Sequence, residues 1–143
     1  MINIIKAMEE DYNCIYACPP GPIEKILSEK RINHVKVKSF TPKELNKVIE
    51  QWKPDVIHAH DFRASILSTL IKKKTFKISH IHQNPLWLNK INLYSISYLI
   101  STLFIDKIVT VSDEVFKDMP FKKLVQSKSK TITNFVDDKV IKL

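Results

Sequence analysis

Apolar and polar positions along the chain follow two periods, and the points where the period changes mark out short strands and amphipathic helices. Residues 2–10 place Ile4, Ile5 and Met8 on one helical face. Residues 13–18 read as a strand closed by Pro19-Pro20-Gly21, after which a helix runs from Pro22 to about Arg31. In residues 33–40 the valines alternate with lysines, the pattern of an edge strand with one wet face. Thr41-Pro42-Lys43-Glu44 is a capping box with proline at the first helical position, and Leu45, Val48, Ile49 and Trp52 follow at helical spacing. Pro54 ends that helix.

Residues 55–60, DVIHAH, begin apolar on both faces, which predicts a central, parallel strand. A helix over 63–72, a strand over 76–82, a helix over 93–103, a strand over 107–111 and a helix from Ser112 complete the pattern. Such alternation implies an α/β fold, a Rossmann-like and mostly parallel sheet flanked by helices. Residues 86–105 have about the length of a membrane-spanning helix. Asn89, Lys90, Asn92 and the serines of that segment would be costly in lipid, so it is expected to be a mostly buried helix.

Four of the five histidines fall in two H-x-H pairs, His58 with His60 and His80 with His82, each at the carboxyl end of a predicted strand. In open parallel sheets ligands bind beyond those ends. The two-residue period puts both members of a pair on one strand face, and neighbouring strands could bring the pairs together. Deeper in their strands, His58 and His80 read as satisfied core histidines. His82, at a strand end, reads as a working side chain. No Cys or Asp cluster with ligand spacing accompanies them, so no metal is expected.

Composition narrows the function. With 143 residues, 44% hydrophobic and 27% charged, the chain is expected to be one ordered domain, residues 1–143. The net charge of +8 comes from scattered lysines, Lys72-Lys73-Lys74 being the one short run, which reads as a solvated helix end. No nucleic-acid motif accompanies the charge, so nucleic acid is not an expected partner, while the basic surface leaves a peripheral contact with an anionic membrane open. Cys14 and Cys18 have neither a thioredoxin nor a zinc spacing and read as buried thiols in a reducing compartment. The apolar run at the start is too short for a secretory signal. A cytoplasmic location is expected, with attachment at the inner membrane face as the variant.

KPDVIHAHD followed by a helix, then ISHIHQN, DKIVTVSDEV and KTITNFVDD, in this order and spacing, resembles the N-terminal domain of the retaining, family-4-like GT-B glycosyltransferases. CPPGPIEKILSEKRI is similar to that family's second strand and following helix. The resemblance implies an acceptor-binding domain of an enzyme of hexosyltransferase type, moving a sugar from a nucleotide-sugar donor to a polysaccharide or glycolipid acceptor. It implies that His82 is the catalytic side chain in the cleft, and that His60, Asp61, Gln83 and Asn84 form the acceptor side. It places Ser112, Asp113, Asn134 and Asp137 at the cleft and interdomain edge. Phe135 stands where glycine is common in the family's last loop.

The same resemblance implies a strand order of 3-2-1-4-5-6. Its first strand and glycine-rich loop would precede Ile2, Gly21 being the only glycine in the chain, and its donor-binding domain would follow Leu143. Position 1 of the sheet would then be unoccupied by this chain. The strand over 13–18 would either pair directly with 55–60 or leave a slot for another segment. No cofactor is expected within the chain itself. A catalytically silent ligand- or metal-binding module, and a GT-B nucleotide-sugar epimerase fragment, are the alternatives.

Overall fold

The computed structural model describes residues 1–133. The chain divides into two compact units, one of Met1–Lys53 with Ile71–Lys73, the other of Pro54–Leu70 resuming at Lys74.

The first unit runs α1 (Ile2–Met8), β1 (Tyr16–Cys18), α2 (Ile23–Glu29), β2 (His34–Lys36) and α3 (Pro42–Trp52). β1 and β2 pair in parallel, Tyr16 opposite His34. Cys18, Leu27 and Ile32 form the core, with Ile2, Ile5, Tyr16 and Ile23 packed against it. Two helix ends use left-handed residues that are not glycine, Arg31 after α2 (φ 54°) and Lys53 after α3 (φ 47°). After α2 the turn closes through Ile32 N–H to Leu27 C=O at 2.8 Å and Arg31 N–H to Ser28 C=O at 3.0 Å. That is the double bond of a Schellman ending, and Ile32 joins Leu27 in the core as the motif requires.

Half of the expected capping box forms. Thr41 Oγ1 accepts from Glu44 N–H at 3.4 Å, but the Glu44 carboxylate turns to Lys47 Nζ at 2.6 Å instead of the cap. Thr41 N–H bonds Ser39 C=O, so the cap donor that Glu44 would have satisfied is already engaged.

The second unit runs β3 (Val56–His60), α4 (Asp61–Thr69), β4 (Phe76–Ile81), α5 (Leu93–Ser101), β5 (Lys107–Thr110), α6 (Lys122–Gln126) and β6 (Ser129–Thr131). Its sheet has the order β3-β4-β5-β6, every pair parallel. The core is built around Phe62, Ile81, Tyr98, Ile108 and Val125. One sheet face meets α4 and α5 through buried hydroxyls, Ser79 Oγ lying 2.7 Å from Ser65 Oγ and 3.2 Å from Tyr98 OH. The parallel α/β class is as expected from the alternation of elements.

Several expectations give way. β3 is parallel but ends the four-stranded sheet: Val56 is exposed, and β4 and β5 carry the central positions. Among the described residues β1 pairs with β2 alone. α4 starts and stops earlier than expected, and Lys72, Lys73 and Lys74 follow it as exposed loop rather than helix end. Ser112 opens a 3-10 turn, Asp113–Phe116, in place of a full helix. β6 has no counterpart in the pattern reading, because Ser129, Lys130 and Thr131 carry no apolar alternation.

The segment expected to be mostly buried is not. α5 buries Ser95, Tyr98 and Ser101 while Leu93, Ile96 and Ile100 stay exposed. Small hydroxyl residues let the helix approach closely, and each bonds backbone nearby: Ser95 Oγ donates to Lys90 C=O at 2.7 Å and Ser101 Oγ to Tyr98 C=O at 2.6 Å.

Two substitutions check this account by urea unfolding. Thr41→Ala removes the side-chain acceptor at the start of α3 and is expected to lower stability by about 1 kcal/mol. Arg31→Gly relieves a left-handed strain of about 1–2 kcal/mol and forfeits about 0.5–1 kcal/mol of glycine chain entropy, for a net gain of roughly 0.5 kcal/mol.

Candidate functional site

The shared direction of β3, β4 and β5 brings their carboxyl ends to one edge of the sheet, where ligand crevices form in open parallel folds. His60 ends β3, His82 follows the last residue of β4, and Ser112 lies just past β5. The register sets His60 opposite His80 and His58 opposite Ile78. Paired residues of a parallel ladder share a face, so all four imidazoles stand together.

They form two edge-to-edge pairs, one laid over the other. His58 Nε2 lies 3.2 Å from His80 Nδ1 and His60 Nδ1 lies 2.9 Å from His82 Nε2. The planes within those pairs differ by 6° and 12°. Between layers, the His58 and His60 centroids are 4.4 Å apart and those of His80 and His82 4.2 Å. Each nitrogen-to-nitrogen bond needs one N–H and one lone pair, which two neutral rings supply. Burial enforces that state. It pushes His60 down to about 2 and His80 to about 4, with the neighbouring imidazoles adding to the shift, and it lowers His58 as well.

His60 Nε2 and His80 Nε2 are buried and have no hydrogen-bond partner among the described residues. The expectation of fully satisfied core histidines therefore holds for only one nitrogen of His80, and such an orphan costs roughly 1–3 kcal/mol. His82 is part-exposed, with His60 behind it. Because the hydrogen bond at one imidazole nitrogen decides the tautomer and the ring's orientation, His60 sets what His82 presents outward.

The remaining residues divide. Asp61 is exposed and holds a left-handed backbone, φ 68°, at the turn from β3 into α4, where its carbonyl accepts from Ser65 Oγ at 2.7 Å. A non-glycine residue in that region stores about 1–2 kcal/mol, and such strain gathers at functional turns. Asn84 Nδ2 donates to Glu114 C=O at 3.1 Å, and Ser112 Oγ accepts from Glu114 N–H at 3.1 Å. The loop after β4 and the turn after β5 are thus joined at one residue. The Asp113 carboxylate accepts a short bond from Thr131 Oγ1 of β6. Gln83 is exposed at the same edge. Asn134, Phe135 and Asp137 lie outside the described residues.

Glu114 and Thr131 were missed in the sequence. A cap signature at Ser112 implicates the second residue after it, so Glu114 was within reach; nothing marks Thr131.

The histidines were also weighed as metal ligands. One nitrogen from each of His58, His60 and His80 falls within 4.8 Å of the others. Nitrogens about a tetrahedral zinc, at about 2.0–2.1 Å from the ion, stand roughly 3.3 Å apart. The His58 and His80 rings lie within 6° of parallel, and the His60 ring is tilted by 32° and 34° to them. A zinc ion that took His58 Nε2 or His80 Nδ1 would displace the hydrogen bond between those two rings.

The Glycosyltransferase Family 4 profile matches residues 8–140. The fold is similar to a crystal structure of a glycosyltransferase from Rickettsia africae ESF-5, with a TM-score of 0.69 at 18% identity over 99% of this chain and 40% of that one. It is also similar to that of Acinetobacter baumannii MurG, with a TM-score of 0.62 at 9% identity over 99% of this chain and 42% of that one. The chain therefore spans about two-fifths of the length of these structures. No curated protein matches the sequence.

Two measurements follow from the histidine layers. Below about pH 6.5 the unfolded chain takes up protons at His60 and His80 that the folded chain refuses, so stability falls with pH. Urea midpoints should drop between about pH 6.5 and pH 5, by up to about 1.4 kcal/mol per pH unit for each group, and His60→Gln or His80→Gln should flatten the slope. A flat native profile would contradict the buried neutral rings. Chelator should leave the melting temperature unchanged; loss of a structural zinc would cost on the order of 10 kcal/mol.

Proposed function

The chain belongs to Glycosyltransferase Family 4, and from that premise we propose that it forms the acceptor-binding side of an enzyme that moves a sugar from a nucleotide-sugar donor to a polysaccharide or glycolipid hydroxyl. The observation that carries this reading is the His60–His82 bond of 2.9 Å at the carboxyl edge of a fully parallel sheet.

Sugar transfer breaks the bond from the anomeric carbon to the diphosphate and forms one to an acceptor oxygen, whose proton must leave. A neutral imidazole offers one donor and one acceptor near pH 7, enough to orient a hydroxyl and stabilise developing charge without a metal. We assign that role to His82, the part-exposed ring, with His60 fixing its orientation from behind. Asp61, Gln83 and Asn84 flank it on the acceptor side. Ser112 and Asp113 form the edge toward a donor-binding domain.

Leaving-group stabilisation needs positive groups, helix N-termini or glycine-rich backbone around the diphosphate. Gly21 is the one glycine present, so the donor site belongs to another domain in this reading. Residues 1–143 alone should show no detectable sugar transfer and very weak nucleotide-sugar binding. When the chain is joined to a donor-binding domain, His82→Ala should lower turnover by about 10²-fold while far-UV circular dichroism stays unchanged. Robust transfer by the isolated chain, or an unimpaired His82→Ala enzyme, would show that the chemistry lies elsewhere.

A further inference from the structure

Beyond His82 the chain sets two aromatic rings side by side. Trp87 lies in the 3-10 turn Leu86–Asn89 and Tyr94 in the first turn of α5, with ring centroids 5.9 Å apart and planes at 50°. One side chain fixes both. Asn92 donates from Nδ2 to Trp87 C=O at 2.5 Å and accepts at Oδ1 from Tyr94 N–H at 2.9 Å. Phe62 packs edge-on against the indole, centroids 4.9 Å apart at 72°, and the fully buried Leu88 anchors the turn. Phe62 directly follows Asp61 at the turn out of β3, so the indole is seated beside the residues of the acceptor side.

These rings are held in place without being used up by the core. Trp87 is only partly buried against it, and Tyr94 is 68% exposed. No described residue forms a hydrogen bond with Trp87 Nε1–H or Tyr94 OH. Rigid aromatic bodies with free polar tips suit a ligand that is apolar on its faces and polar around its rim. A pyranose ring is such a ligand. Its polarised C–H groups meet the negative aromatic face, while its hydroxyls reach the N–H and OH at the ring edges. A hydrocarbon chain would cover the faces and leave both donors dry, which costs free energy. We propose that Trp87 and Tyr94 form a sugar subsite that stacks on the saccharide unit next to the one accepting at His82. The acceptor is then a chain of at least two sugars, with Asn92 and Phe62 as positioning residues. This inference rests on the transfer reading above.

Trp52 is the other of the two tryptophans, so Trp52→Phe leaves Trp87 as the one indole of the 143-residue chain. Its fluorescence is titrated with cellotriose, mannotriose and galactotriose at millimolar concentration. At least one trisaccharide should shift the emission to the blue and saturate. Tyr94→Ala should weaken that binding by about tenfold and Tyr94→Phe by about threefold, the first losing a platform ring and the second one hydroxyl. Far-UV circular dichroism should be unchanged in both. In the chain joined to a donor-binding domain, Trp87→Ala should raise KM for the trisaccharide that binds by about tenfold and leave kcat nearly unchanged, as loss of uniform binding does. The indole titration involves no transfer, so it judges the subsite separately from the role given to His82. An indole silent toward all three trisaccharides would overturn the proposal, as would a response indifferent to Tyr94→Ala. So would an indole that responds to phosphatidylcholine vesicles and to no saccharide, because lipid would then cover the rings.

Discussion

The candidate site depends on the register of one parallel strand pair. Setting His60 opposite His80 puts His58, His60, His80 and His82 on a single sheet face. A slip of one residue in β4 would send His80 and His82 to the side where Ser79 and Ile81 now pack, because strand side chains alternate with a strict period of two. What fixes the register lies on that other face. Ile81 is fully buried, and Ser79 links α4 and α5 through Ser65 and Tyr98. Packing on one face thus determines the chemistry presented on the other.

The same hydroxyl layer explains why α5 is built inside out. Once Ser79, Ser65 and Tyr98 satisfy one another, the helix above them can seat on small residues, and its large aliphatic side chains point outward. Buried polar groups are tolerated here because each finds a partner, Ser101 Oγ reaching Tyr98 C=O and Thr102 Oγ1 reaching Leu99 C=O at 2.7 Å. An outward apolar stripe is uncommon on a protein that meets only water.

Much of this could be read from the sequence, and the failures have physical causes. α3 was placed to the residue because proline, threonine cap and apolar spacing agree. The ends of the strands carrying the histidines were placed within a residue from their apolar runs. α5 was misjudged because apolar residues were equated with burial, although its hydrophobic period fits either side of the helix and only tertiary packing selects one. The position of β3 was misjudged because an apolar strand start does not say how many neighbours pair with it. β6 escaped notice because three polar residues extend a sheet through backbone bonds alone. The histidine pairing was foreseen as a possibility of period and proximity; the edge-to-edge geometry and the two orphan nitrogens were not, since they depend on side-chain rotation.

The account rests on neutral, hydrogen-bonded imidazoles at the sheet edge, and long-range nitrogen NMR of histidine-labelled protein examines them most directly. It predicts that His60 and His80 remain neutral down to about pH 5, as their depressed values of about 2 and 4 require. It also predicts a coupling across the bond between His60 Nδ1 and His82 Nε2. Proton uptake by His60 near the unperturbed value of about 6.5, with no such coupling, would contradict it.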